Sequence, residues 1–202
     1  MINKVVIVCK ENTKIDFKSY ENAFFIGVER GCLELIRQGI NIDLAISDFD
    51  NVSDDELAQI KLAARSFKKL STNKDLIDGE EAILEALKYS SNITLVTEGE
   101  RFDMNLASIA LVLKYNVKLF NKGGFVNLFK QGSIYSIKKT NFKYVSFFSV
   151  EKSLVDITDF KYEAKDLVIE NIGTNAISNE LLENQVGKIN VKKGNIIAIF
   201  TN

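Results

Sequence analysis

The 202-residue chain is predicted to be an α/β protein: an N-terminal, mainly parallel sheet flanked by helices, followed by a C-terminal all-β, sandwich-like domain. Three observations predict this. Up to about residue 122, short apolar runs of strand character alternate with segments of helical periodicity, the pattern of a sheet covered on both faces. Beyond that point strand runs follow one another closely, with turn signals between them and no helical pattern. One strand run of the first part also ends in an Asp-x-Asp pair, at the kind of strand end where open α/β sheets bind ligands. The two domains are accordingly placed at 1–122 and 123–202.

In order, Val5-Val6-Ile7-Val8 is a buried-strand run and Ala23-Phe24-Phe25-Ile26 a second. Leu33, Ile36 and Ile40 recur at helical spacing after Gly31, and Leu44-Ala45-Ile46 is the next strand. Ser53-Asp54-Asp55-Glu56 is a capping box, opening a helix with Leu57, Ile60 and Ala64 on one face. Asp78-Gly79-Glu80-Glu81 is a second box, before a helix over Glu80–Tyr89. Ile93-Thr94-Leu95-Val96 is again a strand, and Leu106, Ile109, Ala110 and Leu113 mark a third helix face. The later strand runs are Val126–Phe129, Ile134–Ile137, Val145–Phe148, Leu154–Ile157, Leu167–Ile169 and Ile196–Phe200. Lys192-Lys193-Gly194-Asn195 is the turn signal between the last two strands.

Composition narrows the chemistry. A net charge of −1 argues against general nucleic-acid binding, which rests on a basic surface. No apolar run approaches a membrane span, and Met1-Ile2-Asn3-Lys4 leads straight into a strand, so a cytoplasmic protein is expected. Cys9 and Cys32 are too few for a disulfide framework or a four-ligand zinc site, and are expected to be buried free thiols. Histidine is absent, which excludes Ser-His-Asp and Cys-His catalysis. Carboxylates, Lys, Arg and bound Mg²⁺ remain, a set that suits phosphoryl transfer.

Four clusters carry that chemistry. Asp48 and Asp50, two apart after the Leu44–Ile46 strand, are expected to project together and hold Mg²⁺ while Phe49 turns into the core; a solvated acidic turn is the other reading. Gly27-Val28-Glu29-Arg30-Gly31 lies where a strand gives way to a helix. Its backbone N–H groups suit a phosphate and Glu29 a metal or substrate, or its glycines merely permit a tight turn. In Lys74-Asp75-Leu76-Ile77-Asp78, Lys74 suits phosphate and Asp78 a metal, or Asp78 is an N-cap and Lys74 solvated. Arg101-Phe102-Asp103-Met104-Asn105 opens the third helix: Arg101 can grip phosphate oxygens, and Asp103 can cap the helix, bind nucleotide, or do both.

The order of these motifs resembles the thiamine pyrophosphokinase family. Its pattern runs Gly-Val-Asp-Arg-Gly, Pro-Asp-x-x-x-Gly-Asp-Phe-Asp-Ser, Lys-Asp-x-Thr-Asp, Arg-x-Asp-His and a late Ser-Asn element. The matching stretches are Gly27–Gly31, Ile42–Asn51, Lys74–Asp78, Arg101–Met104 and Ile177–Glu180. Glu29 stands where the family has Asp, Ser47 where it has Gly, Asn51 where it has Ser, Ile77 where it has Thr and Met104 where it has His. Asp48, Asp50 and Asp78 are kept.

The resemblance implies an α/β catalytic domain that binds ATP and Mg²⁺ and a β-sandwich that binds thiamine. It implies transfer of pyrophosphate from ATP to thiamine, giving thiamine diphosphate and AMP. Asp48, Asp50 and Asp78 would hold Mg²⁺, Glu29, Lys74, Arg101 and Asp103 would contact ATP, and Ser178 and Asn179 would orient the pyrimidine. Asp75, Asp103 and Glu29 are the candidate acceptors of the thiamine hydroxyl proton, unranked. Ser178 capping a turn is an equal alternative. A homodimer with sites at the subunit interface is also implied. Two other readings remain: a phosphohydrolase of the haloacid-dehalogenase type with Asp48 as nucleophile, and a thiamine- or nucleotide-binding protein that has lost catalysis.

Overall fold

Apolar four-residue runs form strands here because both of their faces are covered. The computed structural model describes residues 2–13, 15–20, 22–73, 75–138, 141–183 and 185–202. The chain divides into two units, Met1–Lys122 and Gly123–Asn202.

In the first unit, β1 (Val5–Val8), β3 (Leu44–Ser47) and β5 (Ile93–Val96) are buried at every residue. With β2 (Phe24–Gly27), β4 (Phe67–Lys69) and β6 (Lys118–Asn121) they form a sheet ordered β6-β5-β1-β2-β3-β4, every neighbouring pair parallel. Four helices connect them: α1 (Arg30–Arg37), α2 (Asp54–Ala63), α3 (Asp78–Ala86) and α4 (Phe102–Tyr115). Cys32 and Leu35 of α1 and Ile60 of α2 pack with Val6 and Val8 on one face. Val5 and Ile7 alternate to the other face, where α3 touches β1, β3 and β5. The chain steps outward from β1 to β4 and then returns to β5 on the other side of β1. That reversal makes the carboxyl ends of β1 and β5 the switch point of the sheet.

Local chemistry explains the start of α2, and three other features of the helices depart from expectation. The Ser53 box forms: Glu56 N–H donates to Ser53 Oγ at 3.2 Å and Ser53 N–H to Glu56 Oε2 at 2.8 Å. The second box does not form, because Ile77 is the N-cap and Asp78 is the first residue of α3, its carboxylate drawn to Ser47. In α1 the buried face is Cys32, Glu34 and Leu35, with Leu33 and Ile36 only partly covered. In α4 the face is turned from the one expected: Ser108, Leu111 and Val112 are buried, while Leu106 is 64% exposed. Ser108 tolerates burial because its hydroxyl donates to the Met104 carbonyl at 2.7 Å.

The second unit is two antiparallel sheets. One runs β12 (Asn179–Glu180), β9 (Tyr144–Ser149), β14 (Ile196–Thr201), β7 (Gly124–Phe129). The other runs β11 (Ala164–Ile169), β10 (Ser153–Thr158), β13 (Val186–Lys193), β8 (Ser133–Lys138). Inward residues of both, among them Phe147 and Ala198 of the first and Val155 and Ile189 of the second, share one core. That is the sandwich expected from the closely spaced strands. Gly194 turns β13 into β14 at φ 72°, and a Cβ there would lie 2.2 Å from Ser153 Oγ. No helix among the described residues is long and apolar enough to cross a membrane.

Candidate active site

A cleft of about 580 Å³ opens at the carboxyl ends of the first unit's strands. Cys9 and Lys10 after β1, Glu29 after β2, Asp48 and Asp50 after β3, and Thr97 to Gly99 after β5 line it. Asp78 and Ile77 at the start of α3 and Arg101 and Met104 at the start of α4 complete it.

The aspartate pair converges, though by a turn rather than by strand alternation. β3 ends at Ser47, and Phe49 takes a left-handed conformation, φ 57°. Its ring is buried and stacks on Phe67, centroids 4.8 Å apart. Burying a ring of that size contributes about 1.5–3 kcal/mol, enough to offset the strained backbone. Asp48 and Asp50 are left facing the cleft. Glu29 joins them, itself at φ 48°, and one oxygen from each of the three lies within 4.8 Å of the others. Asp78 lines the same cleft but is not in that group; Ser47 Oγ donates to its Oδ2 at 2.5 Å.

Three hard carboxylate oxygens so close together suit Mg²⁺. Among the described lining residues five acids face two bases, Lys10 and Arg101, so the cleft favours a cation. Burial, with Asp50 adding to it, pushes the Glu29 carboxyl above its usual range, against the pull of hydrogen bonds from Asn51. A bound cation would relieve that crowding.

In the glycine segment the structure shows close packing. A Cβ on Gly31 would lie 1.8 Å from the Val8 carbonyl oxygen, so glycine lets α1 start against the end of β1. The N–H groups of Val28, Gly31 and Cys32 donate to Val8, Val28 and Glu29 carbonyls at 2.8, 2.8 and 3.0 Å, and are therefore already spent. Arg30 is a brace: it donates to Glu11 at 2.8 Å, to Glu56 at 3.3 Å and to the Asn51 carbonyl at 3.1 Å.

Arg101 lines the cleft and is paired with Asp103 at 2.6 Å, both largely exposed. The Arg101 guanidinium holds the Asp103 carboxyl below its usual range. Asp103 does not cap α4, whose N-cap is Arg101 without a side-chain hydrogen bond. Of the three candidate proton acceptors, Glu29 lines the cleft, whereas Asp75 and Asp103 are outside its lining. Lys74 lies outside the described residues. Cys9 is partly exposed in the cleft rather than buried like Cys32, and burial followed by the Asp78 charge pushes its thiol up to about 12. It stays neutral at physiological pH. Lys10, held to Glu98 at 3.2 Å, was not anticipated; its place directly after β1, at the switch point, is the signal that finds it.

Residues 18–121 match the thiamin pyrophosphokinase catalytic domain, and residues 134–196 match the thiamin pyrophosphokinase vitamin B1 binding domain. The chain belongs to the thiamin pyrophosphokinase family. It is 30% identical over 188 residues to the thiamine pyrophosphokinase of Bacillus subtilis (strain 168), covering 89% of this chain and 87% of that one. A crystal structure of the thiamine pyrophosphokinase from Bacillus subtilis superposes with a TM-score of 0.88 at 29% identity, over 99% of each chain. A family protein from Enterococcus faecalis has the same fold, with a TM-score of 0.86 at 22% identity over 99% of each chain. The family's two-domain match gives the later motifs and the β unit a place that the phosphohydrolase reading lacked.

Ser178 and Asn179 fall within the vitamin B1 binding match and differ from each other in exposure. Ser178, at φ 56°, is exposed and its N–H donates to Ser146 Oγ at 2.9 Å. Asn179 is 5% exposed, and its amide is engaged inside the unit. Nδ2 donates to the Tyr162 carbonyl at 2.7 Å, while Oδ1 accepts from the N–H groups of Tyr162 and Glu180 at 3.0 and 2.9 Å. Asn179 thus fixes the backbone of Tyr162, whose side chain is exposed.

Proposed function

We propose that this chain transfers a pyrophosphoryl group from ATP to the hydroxyethyl oxygen of thiamine, giving thiamine diphosphate and AMP. The observation that carries the reading is the acidic group Glu29, Asp48 and Asp50 at the strand ends of a domain that matches the family's catalytic domain. In the reaction the thiamine oxygen bonds to the β-phosphorus, the bond from that phosphorus to the α,β-bridging oxygen breaks, and AMP leaves with that oxygen. The hydroxyl proton passes to a carboxylate of the cleft.

Asp48 and Asp50, with Glu29 beside them and Asp78 in the same cleft, would hold Mg²⁺. Bound there, the metal would neutralise phosphate charge. Lys10 and Arg101 supply the basic contacts to phosphate oxygens, and Lys74 belongs with them on its place in the motif. Thiamine binding is assigned to the β unit, with Ser178 offering an exposed hydroxyl and Asn179 setting the Tyr162 loop. We further assign the chain to the cytoplasm and, as the resemblance implies, to a homodimer.

Incubation with ATP, Mg²⁺ and thiamine separates the readings. AMP with thiamine diphosphate supports this one. Inorganic phosphate formed without thiamine supports a phosphohydrolase, and ligand binding without turnover supports a lapsed enzyme.

A further inference from the structure

Asn51 sits in an exposed turn that many residue types would tolerate, yet it is bonded to two members of the acidic group. Its backbone N–H and its Nδ2 both donate to Oε1 of Glu29, each at 3.1 Å. Nδ2 also donates to Oδ1 of Asp50 at 2.5 Å. Its carbonyl is held by Arg30 at 3.1 Å, and Arg30 is anchored by Glu11 and Glu56. The turn is therefore braced from behind while the amide reaches forward between two carboxylates.

Neighbouring carboxylates repel, and each is free to swing into solvent unless a donor holds it. An amide does this without adding charge, so it leaves the group's attraction for a cation intact. Two departures from the family's pattern meet at this point. Glu29 has one methylene more than the usual Asp, and Asn51 is larger than the usual Ser, with an amide that donates to both acids. The longer arm of Glu29 ends where Asn51 pins it.

We infer that Asn51 is the positioning residue of the acidic group, its amide holding Glu29 beside Asp50 so that Glu29, Asp48 and Asp50 each turn an oxygen toward one divalent cation. The role rests on the metal assignment in the proposed function. Partners that orient metal ligands typically change affinity 10–100-fold when removed.

Mn²⁺ titration followed by electron paramagnetic resonance, on the full chain without ATP or thiamine, tests it. Asn51→Ala removes both side-chain bonds and keeps the backbone one. It is expected to weaken Mn²⁺ binding about tenfold, with a melting temperature within about 2 °C of the parent, as for most surface substitutions. Asn51→Ser paired with Glu29→Asp is expected to recover binding that Asn51→Ser alone loses, because the shorter acid matches the shorter donor. Unchanged Mn²⁺ affinity in Asn51→Ala, with binding lost in Asp50→Asn, overturns the positioning role and leaves the metal assignment standing. A parent that binds no Mn²⁺, or an Asp50→Asn variant that binds as the parent does, overturns both. Weakened binding explained by a large fall in melting temperature also counts against positioning.

Discussion

Ser47 Oγ donates to Asp78 Oδ2 at 2.5 Å, tying the last residue of β3 to the first of α3. The same oxygen accepts from the N–H of Phe49 at 3.3 Å, so one buried hydroxyl links the aspartate turn to the opposite wall of the cleft. Ser47→Ala should lower stability by about 1.5–3 kcal/mol, the range for a hydrogen bond to a charged group. Urea unfolding of the variant measures this. Unchanged stability would mean that Asp78 is oriented by something other than Ser47.

Arg101 is committed only weakly to Asp103, because solvent screens an exposed ion pair and it contributes little. It can exchange that carboxylate for a phosphate at little cost. Replacing Arg101 with Met should weaken ATP binding by about 1–3 kcal/mol, since the phosphate then loses a charged donor. Calorimetric titration of ATP decides it, and an unaltered affinity would return Arg101 to the solvated surface.

These contacts also separate what the sequence makes legible from what it does not. β1, β3 and β5 were readable because strands covered on both faces are unbroken apolar runs. β4 and β6 were missed because they are short and carry lysines, and β13 because its core residues Ile189 and Val191 are interleaved with Lys188, Asn190 and Lys192. The phase of α4 was illegible for the opposite reason. Apolar residues surround it, from Phe102, 87% exposed, to buried Val112, so no stripe marks the core side. The aspartate pair was legible as chemistry, whereas the left-handed Phe49 that makes it converge was not. The Asp78 cap was a sound local reading, overridden by Ser47, thirty-one residues earlier in the chain.

Glu34 gives the first unit an acid-sensitive joint. Its buried carboxylate accepts from Arg37, from Gln38 and from the Asn12 N–H, fastening the segment after β1 to α1. Burial pushes this carboxyl up, but those hydrogen bonds outweigh it and hold it below the usual glutamate range. The folded chain therefore binds fewer protons here than the unfolded one, and stability rises with pH through that window. The stabilisation is complete above the unfolded value and is lost as pH falls through the folded one. Glu34→Gln should destabilise the protein at pH 7 and progressively less as the pH falls through the acid range in which this carboxyl takes up its proton. A difference in unfolding free energy that stays constant over that range would contradict this.

Asn179→Ala should remove three hydrogen bonds to the backbone, two at Tyr162 and one at Glu180. A loss of about 1–3 kcal/mol in stability is expected from these part-buried bonds, since water can take up some of the released groups. Thiamine affinity should fall with the Tyr162 loop. A full melting temperature with thiamine binding abolished would instead make Asn179 a direct contact.

If the acidic group drives thiamine-dependent pyrophosphoryl transfer, removing one of its charges stops the reaction. Asp50→Asn keeps the side-chain shape and removes the charge, which makes it the sharpest probe. The measurement is the rate of AMP release from ATP at saturating Mg²⁺, with and without thiamine, in the parent and in Asp50→Asn. The expected result is AMP and thiamine diphosphate in equal amounts from the parent, only with thiamine present, and a collapse of that rate in a variant that still melts as the parent does. Near-parental AMP release from Asp50→Asn, or AMP release from the parent that ignores thiamine, would contradict it.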